Sequence, residues 1–201
     1  AGNPYFISLE ELIEEGLLTE EECDKVDFGN RIDKVNYEKL YNGRFKLLKK
    51  AYKKSNISEK EDFDKFKSEN CYWLNDYAMF MAIKDRFNGQ SFDKWAEDIK
   101  LRWEYSMEYY QNELKDEIEF YKFIQYEFYR QWYKLKKYAN ENGIKIIGDI
   151  PIYVAYDSAD VWAHPELFQM DENGKPVAVA GCPPDGFSAT GQLWGNPLYR
   201  W

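Results

Sequence analysis

Two stretches near the end of the chain hold the residue types that could do chemistry. The first is Asp149, which follows the β-branched run Ile144-Lys145-Ile146-Ile147-Gly148 and precedes Pro151. Where a buried strand gives way to a loop in a parallel α/β fold, functional side chains gather. An ionised carboxylate there needs donors, such as sugar hydroxyls or a guanidinium. The same spacing also fits a turn-forming aspartate. The second stretch is the Gly/Pro-rich loop 181–197, which carries Phe187, Gln192, Trp194 and Asn196. Aromatic rings beside amide and carboxylate groups suit a sugar ring, which has apolar C–H faces and an edge of hydroxyls. A loop folded back on its own aromatics would have the same composition.

Other chemistries lack their residues. The chain has one histidine, His164, beside Pro165, where it reads as a helix-flanking residue. That disfavours a His-dependent acid–base pair and a multi-His metal site. No glycine-rich phosphate loop and no Gly-x-Ser-x-Gly elbow occurs. Acid–base work falls to carboxylates, and among 36 Asp and Glu residues composition selects no pair. No metal and no cofactor is expected. Cys23, Cys71 and Cys182 are far apart and odd in number, which disfavours a disulfide framework and fits reduced thiols in a cytoplasmic protein.

The 201 residues carry a net charge of −9, 44% hydrophobic and 31% charged residues, the balance of a folded soluble chain. Acidity disfavours nucleic acid and anionic membrane as partners. No run approaches the ~18 apolar residues of a membrane span.

Proline divides the elements that must position these residues. After Pro4 none occurs until Pro151, and the other six lie between Pro151 and Pro197. Residues 1–142 therefore read as a mainly helical subdomain and 143–201 as a strand, a hairpin and a loop. Ser8 with Glu11, and Thr19 with Glu22, are capping-box patterns. Helices are expected over 36–54, from Ser58 with Glu61, over 68–88 with Gly89 as a stop, and from Ser91 to about Leu101. The longest should run from about Ser106 to Asn142. Leu114, Ile118, Tyr121, Ile124, Phe128, Trp132, Leu135 and Ala139 share one of its faces, and Gly143 is its left-handed cap. That aromatic stripe reads as core more readily than as a sugar platform. Residues 144–149 read as a buried parallel strand ending near Asp149. Asp157-Ser158-Ala159-Asp160 caps a short helix through about Trp162. Asp171-Glu172-Asn173-Gly174 turns a small hairpin.

Three stretches resemble one family. Residues 148–162, Gly-Asp-Ile-Pro-Ile-Tyr-Val-Ala-Tyr-Asp-Ser-Ala-Asp-Val-Trp, are similar to the first conserved region of the 4-α-glucanotransferases, or amylomaltases. Residues 181–201, with Pro-Pro-Asp, Thr-Gly-Gln and Trp-Gly-Asn-Pro-Leu-Tyr, resemble that family's mobile substrate-binding loop and the segment after it. The opening Ala-Gly-Asn-Pro-Tyr-Phe-Ile-Ser-Leu resembles the segment after its first barrel strand. The intervening helices resemble its helical insertion loosely.

The resemblance implies an α/β fold: a partial (β/α)₈ TIM barrel with a large, mostly helical inserted subdomain. It implies retaining transfer of α-1,4-glucan chains between maltooligosaccharides, with one carboxylate as nucleophile and another as acid and base. Asp149 matches the first-region Asp at the floor of the site. Asp185, Phe187, Gln192, Trp194 and Asn196 match residues lining the glucan groove. Gly186 departs from the pattern, standing where many members carry Tyr or Ala. The family's nucleophile lies in an Arg-x-Asp-His motif, which this sequence lacks. The reading is therefore an internal segment, inactive alone, with nucleophile and acid/base expected beyond Trp201. Its core should be mainly helical, and residues 144–154, short of partner strands, should be misplaced, weakly ordered or paired with a second copy. A different class of reading is a non-catalytic helical module that binds α-glucan or a protein. A hydrolase of the same superfamily fits less well, because Ile152-Tyr153-Val154 stands where an Asn-His pair is usual.

Overall fold

The computed structural model describes residues 1–29, 31 and 33–201. Its elements in chain order are α1 (Leu9–Glu14), α2 (Glu20–Asp24), α3 (Tyr37–Lys54), α4 (Glu61–Glu69), α5 (Cys71–Arg86), α6 (Glu97–Lys100), α7 (Glu104–Glu113), α8 (Lys115–Glu141), α9 (Ala159–Ala163), β1 (Val179–Cys182) and β2 (Gln192–Pro197). Chain packing groups these residues differently from the proline division. One compact unit is Ala1–Leu74 with Glu119–Ile146, and the other is Asn75–Ile118 with Ile147–Trp201.

In the first unit Ser8 and Thr19 cap helices as expected, but the full capping box forms only at Thr19; the Ser8 N–H goes to Gln131 instead of Glu11. The Ser8 hydroxyl accepts from the Glu11 N–H at 3.1 Å. Thr19 and Glu22 exchange both bonds of a capping box, at 3.2 and 3.1 Å. α3 begins after Asn36, whose side chain accepts from the Lys39 N–H. α4 starts at Glu61 with Lys60 as its cap, whereas Ser58 lies in a single 3₁₀ turn, Ile57–Glu59. Leu12, Leu18, Leu47, Leu48, Phe63, Tyr121, Phe123 and Ile124 form the packed interior.

Two glutamines of α8 fasten the N-terminal segment to this core. Gln125 is fully buried; its Oε1 accepts from the Gly2 N–H at 2.6 Å and its Nε2 donates to the Gly2 carbonyl at 2.9 Å. Six residues on, Gln131 does the same for Ser8, at 2.7 and 3.3 Å. Each amide acts as one rung of a strand partner and satisfies backbone groups that packing withdraws from water. Glu127 is also buried. Burial pushes its carboxyl up, while Arg130 holds it at 2.5 Å and reaches Glu15 at 2.6 Å.

The second unit is built around Trp162. Its indole N–H donates to the Ile99 carbonyl at 3.1 Å, and its ring lies 5.8 Å from that of Phe80 and 5.9 Å from that of Trp95. The Arg102 guanidinium sits 4.3 Å above the ring and pairs with Asp76 at 2.5 Å. The Ser158 hydroxyl caps α9 by accepting from the Val161 N–H at 3.3 Å. Asp157 pairs with Lys84 and accepts from the Phe92 N–H, tying the segment before α9 to α5 and to the 3₁₀ turn Phe92–Lys94.

Several expectations are corrected. The helix expected over 106–142 is two helices, α7 and α8, separated at Leu114, where the backbone leaves helical geometry with the side chain buried. The stripe on α8 is core through Ile124, whereas Leu135 is exposed. The helix expected from Ser91 to about Leu101 is the 3₁₀ turn followed by α6. Gly143 does cap α8 in the left-handed region, φ 77°, and the Ile144 N–H returns to the Ala139 carbonyl at 2.9 Å.

The expected parallel strand at 144–149 does not form. Residues 144–154 follow no regular element, and Ile147 is 95% exposed. A strand meant to be buried on both faces needs neighbours, and none of the described residues pairs with it. The edge through which a second copy was expected to pair is therefore absent as a strand. Among the described residues the sheet is the antiparallel pair β1 and β2. It places Gln192, Trp194 and Asn196 in a strand rather than in the loop expected over 181–197. The small hairpin at 171–174 forms, with Asp171 Oδ1 accepting from the Asn173 and Lys175 N–H groups at 2.9 and 2.8 Å.

Candidate functional site

The loop joining β1 to β2, residues 183–191, carries the exposed aromatic and acid of the expected site. Glycine makes the turn back into β2. Gly191 has φ 73°, and a side chain there would strike the Cys182 carbonyl. Register sets Cys182 opposite Gln192 and Gly181 opposite Leu193. Asp185 organises the loop: its Oδ1 accepts from the Phe187 and Ser188 N–H groups at 2.9 and 2.8 Å. Phe187 is left at the tip, 97% exposed.

On β2 the side chains are tied to each other and to residues 153–154. Gln192 Oε1 accepts from the indole N–H of Trp194 at 3.0 Å. The Trp194 ring, 51% exposed, lies 6.2 Å from that of Tyr153. Tyr153 stacks in turn near Tyr199, 6.3 Å away at 15°, and Tyr199 stacks on Phe168 at 5.0 Å. Asn196 Nδ2 donates to the Val154 carbonyl at 2.8 Å. The result is a half-open aromatic ledge with amide groups along its edge.

Of the six expected site residues, Gln192, Trp194 and Asn196 are brought together on one strand. Asp185 and Phe187 share the adjoining loop. Asp149 stands apart: it is exposed, and its Oδ1 accepts from the N–H of the next residue, Ile150, at 2.8 Å. Tyr153 and Tyr199 complete the ledge, with the buried Phe168 behind them, and the three were not singled out by sequence. Their signal was the recurrence of aromatics in an otherwise Gly- and Pro-rich tail. His164 lies at the end of α9, with Nδ1 3.3 Å from Glu166 and Nε2 4.0 Å from Asp76. Among the described residues no group of three or more His, Cys, Asp or Glu side chains is placed to hold a metal ion. Cys23, Cys71 and Cys182 are free thiols. No helix among the described residues is long and apolar enough to cross a membrane.

The ledge combines stacking surface with donors and acceptors, and the chain's relatives say what kind of protein carries it. The family profile described as 4-alpha-glucanotransferase matches residues 1–201. This chain belongs to the 4-alpha-glucanotransferase family. It is 50% identical over 202 residues to the 4-alpha-glucanotransferase of Clostridium butyricum, covering 100% of this chain and 42% of that protein. Against the enzyme of Thermus thermophilus it is 45% identical over 205 residues, covering 100% of this chain and 40% of that protein. A solved amylomaltase from Streptococcus agalactiae, in complex with acarbose, superposes with a TM-score of 0.92 at 41% identity, covering 100% of this chain and 41% of that one. The chain thus spans about two-fifths of the length of the 4-alpha-glucanotransferases it matches.

The family segment that opens the chain, Ala1 to Leu9, has a physical reason for its residues. Gly2 abuts the Phe128 ring, where a side chain would collide, and Gln125 and Gln131 hold the backbone at Gly2 and at Ser8. Ser8 then caps α1.

Proposed function

We propose that these residues are part of an enzyme that transfers α-1,4-glucan chains between maltooligosaccharides by a retaining double displacement. The observation that carries the reading is the family match across the whole chain, joined to an exposed ledge of Trp194, Tyr153 and amide groups. A glucan presents its apolar ring faces to Trp194 and Phe187 and its hydroxyls to Asp149, Asp185, Gln192 and Asn196. In the retaining reaction a carboxylate attacks the anomeric carbon and forms a glycosyl-enzyme as the leaving oxygen takes a proton from a second carboxyl group. That group then takes the proton of an acceptor sugar hydroxyl, which displaces the enzyme carboxylate. The nucleophile is assigned outside these 201 residues, since its Arg-x-Asp-His motif does not occur within them, and the acid/base, which the resemblance sets after it, is assigned there too. An aromatic-bearing hairpin over the site favours a sugar acceptor over water.

In the whole enzyme, 143–201 contributes a strand and the substrate-binding hairpin to a (β/α)₈ barrel, and 1–142 is the helical subdomain inserted in it. The exposed Ile147, Ile150 and Ile152 support this, because they form an apolar run with no strand beside it among the described residues. Maltooligosaccharides are the partner class, and the cytoplasm is the proposed setting, in keeping with three free thiols. The test is product analysis after incubation with maltotriose. The full-length enzyme yields glucose together with longer chains, and residues 1–201 alone yield neither. Transfer by the 201-residue chain, or plain hydrolysis by the full-length enzyme, overturns the proposal.

A further inference from the structure

We propose that Gln192 is a positioning residue that acts through Trp194, fixing the plane of its ring for a glucan, rather than chiefly a ligand for sugar hydroxyls. This rests on the reading of Trp194 as a glucan-stacking residue. A half-exposed indole on a two-stranded hairpin has two torsions free to turn, and a ring that samples several planes offers a sugar face no fixed surface. Three contacts remove that freedom here. Gln192 Oε1 takes the indole N–H at 3.0 Å, which pins the edge of the ring. Tyr153 lies against the ring, with centroids 6.2 Å apart and planes at 46°. Asn196, two residues on, donates to the Val154 carbonyl at 2.8 Å, which holds the backbone next to Tyr153 against β2. Tyr153 is itself backed by Tyr199 and, through it, by Phe168, which is buried. The support therefore runs from the core to the exposed ring, with Gln192 as its outermost element.

The oxygen of Gln192 is committed to the indole, so the amide N–H₂ is the group that remains for a sugar hydroxyl. A residue whose main duty is a sugar hydroxyl would act through that N–H₂ alone. The two roles separate on substitution. Gln192→Leu removes both groups, whereas Gln192→Glu keeps the acceptor for the indole and loses the amide donor.

The chain is labelled with 5-fluorotryptophan, and the Trp194 resonance is assigned from its loss in Trp194→Phe. With no sugar present, Gln192→Leu is expected to move and broaden the Trp194 line while the other tryptophan lines hold, and Gln192→Glu is expected to restore it. A Trp194 line unchanged in Gln192→Leu overturns the proposal. Maltohexaose is then titrated into the full-length enzyme. Gln192→Leu is expected to weaken binding about fivefold, the equivalent of one net hydrogen bond, and Gln192→Glu to recover most of that loss. Equal weakening by both variants overturns the proposal and leaves Gln192 as a hydroxyl ligand. Full-strength binding by Trp194→Ala would instead overturn the assignment of Trp194 to glucan, with the unliganded fluorine lines still deciding what Gln192 does to the ring.

Discussion

Gln125→Leu tests how the family's opening segment is held. The substitution keeps side-chain volume close to that of glutamine, so it opens little cavity. It deletes the donor to the Gly2 carbonyl at 2.9 Å and the acceptor of the Gly2 N–H at 2.6 Å. Both Gly2 groups are then buried without those partners, at ~1–3 kcal/mol each, offset by no longer burying the glutamine amide. A net loss of about 2–3 kcal/mol is expected. For a chain of this length that lowers the melting temperature by roughly 4–12 °C. Thermal unfolding followed by far-ultraviolet circular dichroism measures it, with Gln111→Leu on the exposed face of α7 as a control expected to stay within ~0.5 kcal/mol. Gln125→Glu sets a carboxylate oxygen against the Gly2 carbonyl in a fully buried site and should cost at least as much as Gln125→Leu at neutral pH. A Gln125→Leu chain melting within about 1 °C of the unsubstituted one would refute the reasoning, since two lost buried bonds cannot cost so little.

Trp162→Phe removes the donor to the Ile99 carbonyl and part of the surface beneath Arg102, and is expected to cost about 1–3 kcal/mol. A chemical-denaturation midpoint that does not move would contradict it. Glu22 and Glu127 are expected to titrate on opposite sides of the ordinary glutamate value of 4.5. Hydrogen bonding from Lys54, then from the Thr19 N–H, lowers Glu22, and burial raises Glu127. The stabilisation from Glu22 is therefore present above its unfolded-state pKa and lost as pH falls below it. The contribution of Glu127 is present at low pH and is lost as pH rises through its raised value. Side-chain carboxyl chemical shifts followed against pH check both, and Glu127 titrating below Glu22 would reverse the account.

What the sequence made legible was local. Ser8, Thr19 and Ser158 announce helix starts because a cap is a bond across three residues, and Asp171 announces a turn for the same reason. The break at Leu114 has no Gly or Pro to mark it, and its buried side chain shows that packing decides it. Gln125 and Gln131 each bond to a residue 123 positions away, a distance that no pattern of polarity reveals. The β1–β2 pair was hidden because its glycines, which the turn and the close strand approach demand, read as loop. For the site, the motif residues on β2 were found together, but their ties to Tyr153 and Val154 were not. Residues 144–149 read as a strand for good reason, since their apolar pattern suits one. The pattern cannot supply the neighbours that a strand needs.

The central claim is that this hairpin grips α-glucan for a transfer reaction. The most direct measurement is the kcat/KM of the full-length enzyme for maltotriose disproportionation, compared with that of Trp194→Ala. Loss of the stacking ring is expected to lower it by about tenfold or more while the fold is retained. A variant as efficient as the unsubstituted enzyme would contradict the claim.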